Sequence, residues 1–199
     1  MQNNQKYWSL FKDGDREALG KIFQIYYKEL YFYGLKIVPI PELVKDVIQE
    51  MFVQLWEKRD NLGQVVKVKS YLLVAVRNEL IHESKRHYVS EKDSNYLEPF
   101  TLTIEDFLIN EEDSRHLNER LVVSLNKLSE RQREVIMLRF FHNLCFEELA
   151  EVLRMNVQSV RNLLFRALEK LRNDLKDIGF HGHDNIELIL FALFSKKRL

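Results

Sequence analysis

Residues 145–172 read CFEELAEVLRMNVQSVRNLLFRALEKLR, and the fold turns on how this stretch is parsed. Phe146, Leu149, Ala150 and Leu153 fall at helical spacing. After a break at Arg154, Met155 and Asn156, the same spacing resumes at Val157, Val160, Leu164, Ala167, Leu168 and Leu171. Asn156 has the side-chain acceptor that caps the first free N–H groups of a helix. Two amphipathic helices joined by so tight a turn cross steeply around one apolar wedge, which is helix-turn-helix geometry. The outward face of the second helix offers Gln158, Ser159, Arg161, Asn162, Phe165 and Arg166. Such groups bond base edges or phosphates in a major groove. An ordinary helical hairpin in a bundle shows the same pattern, so this stretch alone leaves both readings open.

Working outward, the 199-residue chain has only six glycines and three prolines, and helix formers abound. The expected fold class is all-α, with two small helical domains joined by an acidic linker, the C-terminal one containing the helix-turn-helix. Lys plus Arg balance Asp plus Glu at 30 each, so bulk charge does not mark a nucleic-acid binder, although local fields can still oppose one another. The single cysteine, Cys145, excludes an internal disulfide and a cysteine metal cluster. The first residues, MQNNQKYWSLFKDGD, lack a secretion-signal pattern, and no apolar run approaches the roughly 20 residues of a membrane span. A cytoplasmic protein is expected.

Asp15 caps a helix whose stripe is Leu19, Ile22, Phe23, Tyr26, Leu30, Tyr33 and Ile37, read as core, and Pro39 and Pro41 end it. The next helix, 42–59, has a buried face of Val44, Val47, Ile48, Met51, Phe52 and Leu55. Its second face, Asp46, Gln49, Glu50, Val53 and Glu57, is either a solvated surface or a docking surface for a basic partner. Residues 61–69 break the pattern. Ser70 is then expected to cap a helix carrying Arg77, Asn78, Lys85, Arg86 and His87 beside Lys67, Lys69, Tyr71 and Tyr88. That face is either solvated or suited to phosphate contact and base stacking.

Residues 91–112 are rich in Ser, Asn and acidic groups and read as a linker between domains at 1–90 and 113–177. Ser129 and Gln132 form a capping-box pattern opening a helix through Phe141. The tail, 178–199, contains the apolar run 186–194, too short to cross a membrane and expected to pack back on the protein or cover a partner surface. His181 and His183 lack further ligands nearby, so no metal site is expected.

Taken in order, four stretches resemble an extracytoplasmic-function RNA polymerase sigma factor of the sigma-70 family over residues 7–176. They are the Gly14-Asp15 opening and its helix; DVIQEMFVQLWE at 46–57; Tyr71-Leu72 with VRNEL at 76–80; and LSERQREV at 128–135 running through the helix-turn-helix to RALEKLR at 166–172. The resemblance implies that Asp46, Gln49, Glu50, Val53 and Glu57 bind core RNA polymerase. It implies that Asn61, Lys69, Arg77, Asn78, Lys85 and Arg86 meet a downstream promoter element and help to melt it. Arg154, Gln158, Ser159, Arg161, Asn162 and Arg166 would meet an upstream element.

The resemblance further implies a membrane-associated anti-sigma factor, no catalysis, no cofactor and no small-molecule substrate. Two departures stand out. Arg154 occupies a turn position where the family often has Gly, and Glu79 and Glu83 intervene on the melting helix. The apolar C-terminal extension resembles that of some Bacteroidetes members. The competing reading is a helix-turn-helix regulator whose N-terminal half senses a signal or dimerises. An enzyme fits poorly, because no phosphate loop, metal-ligand set or nucleophile–base pair is evident.

Overall fold

Four of the described helices start where a short polar side chain or a proline closes the first turn. The structure, a computed structural model, describes residues 2–90 and 112–176 together with residues 186, 187 and 190. Side chains are described over 4–86, 119–176 and those same three. The chain divides into two units, 1–98 and 99–199. Among the described residues every regular element is helical.

The first unit holds α1 (Gln2–Lys12), α2 (Arg16–Ile37), α3 (Pro41–Glu57) and α4 (Val68–Ser90), with a 3-10 turn at Arg59–Asn61. The Asp15 carboxylate accepts from the N–H groups of Glu17 and Ala18, which is the expected cap of α2. Helix α2 packs on α1, α3 and α4. Its buried line is Ala18, Ile22, Tyr26, Leu30, Tyr33 and Gly34. Phe23 was expected in that line, yet it is 36% exposed. The small residues Ala18 and Gly34 take the inner positions, and the ring is turned to the edge. Trp8 of α1 is buried edge-on to Phe11 and Tyr71, which fixes α1 to the start of α4.

Two helix starts differ from expectation. Proline at the first position opens α3, and Ser70 does not cap α4. Helix α4 begins at Val68, three residues before the start a Ser70 cap would set, because Val68 is buried, and the Ser70 hydroxyl donates back to the Lys67 carbonyl instead.

The second unit holds α5 (Glu112–Asn126), α6 (Glu130–Ile136), α7 (Phe146–Leu153) and α8 (Val157–Lys176). Ser129 and Gln132 complete the capping box of α6. The helix widens into a π-turn at Met137–Phe141, where the His142 N–H reaches the Met137 carbonyl. Arg133 is buried and donates to the carbonyls of Asn126 and Leu128, closing the end of α5. Burial pulls its pKa below the usual range.

Helix α8 is the axis of this unit, with α5, α6 and α7 packed on it through Val160, Leu164, Ala167, Leu168, Leu171 and Leu175. Asp174 of α8 accepts from the Ser124 hydroxyl at 2.6 Å and pairs with Lys127 at 2.9 Å, so α5 is latched to α8. Ile186 and Leu190 in the tail are buried. The expected linker, apart from Glu112 at the start of α5, and both tail histidines lie outside the described residues.

Candidate docking surface and nucleic-acid interface

Asp46, Gln49, Glu50, Val53 and Glu57 all lie exposed on α3, opposite the core-facing Val44, Val47, Ile48, Met51, Phe52 and Leu55. Asp46 and Glu57 make no ion pair among the described residues. Glu50 accepts a hydrogen bond from Gln54 at 3.2 Å. Val53 is 44% exposed at the centre of this acidic row. Beside it runs an apolar groove of about 360 Å³, lined by Leu19, Gly20, Phe23, Gln49, Phe52, Val53 and Trp56. Periodicity did not reveal this groove, because it needs α2 and α3 side by side.

Phe23 meets Phe52 edge-on at 5.1 Å and continues into a ladder along α2. Tyr27 lies 4.9 Å from Phe23, and Tyr31 stacks on Tyr27 at 5.9 Å. Gly20 forms part of the floor, and a Cβ there would meet nothing within 4 Å. A glycine inside a helix costs about 1 kcal/mol relative to alanine, and here no neighbour among the described residues requires it. The opening is therefore suited to a knob on a partner helix, with carboxylates alongside to pair with that helix's cations.

The six residues expected at the downstream element are not gathered on one face. At about 100° per residue, Asn78 and Lys85 stack on one line of α4, with Arg77 and Arg86 flanking it about 80–100° to either side. Asn78 and Arg77 are half-buried, while Lys85 is exposed. Arg86 pairs with Glu83 at 2.8 Å, which holds the Glu83 carboxyl below its usual range. Lys69 points to the far side, where the Glu29 carboxylate engages it at 2.5 Å. Asn61 is exposed at the end of the 3-10 turn. Glu79 and Glu83 are turned about 110–150° away from the Asn78–Lys85 line, so they do not interrupt it. Glu79, His82 and Glu83 bring ligand-type atoms within 4.8 Å of one another, but Arg86 and His82 already engage Glu83.

The six residues expected at the upstream element do converge. On α8, Gln158, Ser159, Arg161, Asn162 and Arg166 fall within an arc of about 160°. Phe165 shares the arc and is 65% exposed. The Asn156 carboxamide accepts from the Ser159 N–H at 2.7 Å, the expected cap. At the end of α7, the N–H groups of Arg154 and Met155 donate to Glu151 and Ala150, the Schellman closure. Arg154 occupies its left-handed position, at φ 51 and ψ 49, and is exposed. Gln158 donates to Asn162 at 3.2 Å, so these two amides present one joint edge.

A helix-turn-helix unit preceded by a unit with an acidic, grooved helix face defines a class of two-part transcription subunits. The sequence comparisons agree with that class. The profile of sigma-70 region 2 matches residues 22–88, and that of sigma-70 region 4 matches residues 124–173. The extracytoplasmic-function sigma factor SigW of Bacillus subtilis is 25% identical over 175 residues, covering 84% of this chain and 94% of its own. The RNA polymerase sigma-E factor of Streptomyces avermitilis is 26% identical, covering 71% of this chain and 75% of its own.

Among solved structures, that of CnrH in complex with the cytosolic domain of CnrY has a TM-score of 0.59 at 20% identity, covering 88% of this chain and 98% of that one. The sigma factor RpoE in complex with the anti-sigma factor NepR, from Bartonella quintana, has a TM-score of 0.58 at 20% identity, covering 79% and 96%. These two show the fold. The chain belongs to the sigma-70 family, in its extracytoplasmic-function group. It is a non-catalytic subunit that binds core RNA polymerase and promoter DNA and directs promoter-specific initiation. A regulator built on the helix-turn-helix alone is not favoured, because region 2 accounts for the N-terminal half. Among the described residues no helix is long and apolar enough to cross a membrane.

Proposed function

We propose that α3 and the groove beside it are the polymerase-binding surface, with Asp46, Gln49, Glu50, Val53 and Glu57 in contact. The observation that carries this is the groove floored by Gly20 and flanked by exposed carboxylates. A basic helix with an apolar knob fits both features at once. On α4, Asn78 and Lys85, with Arg77 and Arg86 beside them and Asn61 at the preceding turn, meet the downstream element. An amide and flanking cations can hold a displaced base and its phosphates. Lys69 contributes there only if Glu29 releases it.

On α8, Arg161 and Asn162 with Gln158 read base edges of the upstream element, while Arg154, Arg166 and Ser159 hold phosphate. Regulation by an anti-sigma factor, anchored at the membrane and acting on a cytoplasmic sigma factor, is the further reading. It is supported by two solved structures, one of RpoE bound to the anti-sigma factor NepR and one of CnrH bound to the cytosolic domain of CnrY.

Charge reversal tests the docking assignment. Asp46→Lys with Glu50→Lys should weaken binding to core polymerase by at least tenfold while leaving upstream-element binding by the free chain unchanged. A double variant with parental affinity for core polymerase would refute it.

A further inference from the structure

Phe146 is the first residue of α7, held there by the Cys145 N–H donating to the Glu148 carboxylate at 2.7 Å. Two guanidinium groups lie over its ring. Arg161 of α8 stands 5.2 Å from the ring centroid, and Arg139 of the π-turn stands 5.4 Å from it. Arg139 is itself fixed, donating to the Leu144 carbonyl at 2.8 Å. The restraint thus runs from backbone to Arg139, from Arg139 to the ring, and from the ring to Arg161. Arg161 is exposed, and an exposed arginine otherwise samples many rotamers that DNA binding must freeze.

We propose that Phe146 is a positioning residue: its ring holds Arg161 in the orientation that reads the upstream element, with Arg139 backing the ring. The proposal rests on the reading of Arg161 as a base contact. Phe146 need not touch DNA. Its contribution is preorganisation, which raises affinity by reducing the ordering left to do on binding. A cation–ring contact at a partly exposed site corresponds to about two- to fivefold in an equilibrium constant.

The test uses the full chain with core RNA polymerase and a promoter series in which each upstream base pair is changed in turn. Phe146→Leu should lower initiation about two- to fivefold on the preferred sequence. It should flatten preference at the same base pair that Arg161→Ala flattens. Phe146→Tyr should keep the parental profile, and Phe146→Leu should add little on an Arg161→Ala background.

A uniform loss across all upstream sequences, or losses that multiply in the double variant, would overturn the proposal by assigning Phe146 to packing alone. If Arg161→Ala leaves base preference intact, the base-reading assignment fails and the positioning role falls with it. If Arg161→Ala changes preference and Phe146→Leu does not, only the positioning role falls. Should Phe146→Leu unfold the unit, Arg139→Gln carries the test: preference altered at the Arg161 base pair supports the proposal, and a parental profile overturns it.

Discussion

Two glycines on α2 should respond to the same substitution with opposite signs. Gly34 is buried where α2, α3 and α4 meet, and a Cβ there would stand 2.6 Å from Val44 Cγ1 and 3.1 Å from Leu80 Cδ1. Val44 is β-branched, is itself buried in a helix, and has essentially one χ1 rotamer available. The clash is therefore relieved by spreading helices, an overpacking cost of about 1–3 kcal/mol. Alanine regains about 1 kcal/mol of helix propensity, so Gly34→Ala should destabilise the first unit by up to about 2 kcal/mol net.

Gly20 is the contrast, with nothing within 4 Å of its Cβ position. Gly20→Ala should stabilise by about 0.5–1 kcal/mol. It should also weaken binding to core polymerase, since the methyl fills the groove. Urea unfolding followed by far-UV circular dichroism gives both stabilities, and titration with core polymerase gives the affinities. A Gly34→Ala protein more stable than the parent by the full helix-propensity gain of about 1 kcal/mol would refute the close-approach argument. A Gly20→Ala protein with parental affinity for core polymerase would refute the groove as the seat of a partner side chain.

Arg154→Gly should stabilise the second unit by about 1 kcal/mol, because an L-residue strained in the left-handed region is replaced by one that is not. An unchanged or lowered thermal midpoint would contradict this. Asp174 supplies a pH test. Its folded-state pKa is depressed, first by the Ser124 hydrogen bond and then by Lys127, so its stabilisation is present above the ordinary value of 3.8 and lost as pH falls through the lower folded value. Asp174→Asn should cost about 0.5–1 kcal/mol at neutral pH, the Lys127 share being screened by solvent, and the gap from the parent should close below about pH 4. A gap that stays constant into acid would mean that the latch is not ionic.

Local signals were legible in the sequence where a side chain answers to its own backbone. Asp15, Asn156 and the Ser129–Gln132 pair cap the helices their spacing predicts. The helix-turn-helix was legible for the same reason, since its two stripes and its break are all short-range. Ser70 misled because a competing short-range demand, the burial of Val68, moved the helix start. Phe23 misled because a stripe four residues wide cannot say which member reaches the edge once Ala18 and Gly34 allow close packing.

The remaining features depend on partners far apart in sequence: the groove between α2 and α3, the Lys69–Glu29 pair and the ring between Arg139 and Arg161. No periodicity encodes them. The resemblance to a family supplied roles for faces, and the geometry then sorted residues within each face.

The charge available on the helix-turn-helix sets how the upstream unit can work. Three arginines, Arg154 at the turn and Arg161 and Arg166 on α8, are exposed on the face proposed to meet DNA. If all three met phosphate, the affinity of the free chain for a duplex carrying only the upstream element would fall with salt at a log–log slope of about −2.7. Raising salt from about 50 to 200 mM would then cost about 40-fold, far less than proteins making 6–10 phosphate contacts lose. So shallow a slope means little counterion release and therefore weak binding by this unit on its own. Tight promoter binding must come from joining it to the downstream contacts through polymerase, where tethering turns the second contact into an intramolecular step. Fluorescence anisotropy across a salt series distinguishes the cases. A slope near −3 or shallower for the free chain, steepening in the complex with core polymerase, is expected. A slope of about −6 for the free chain would show that it grips DNA strongly without polymerase, and the two-point argument would fail.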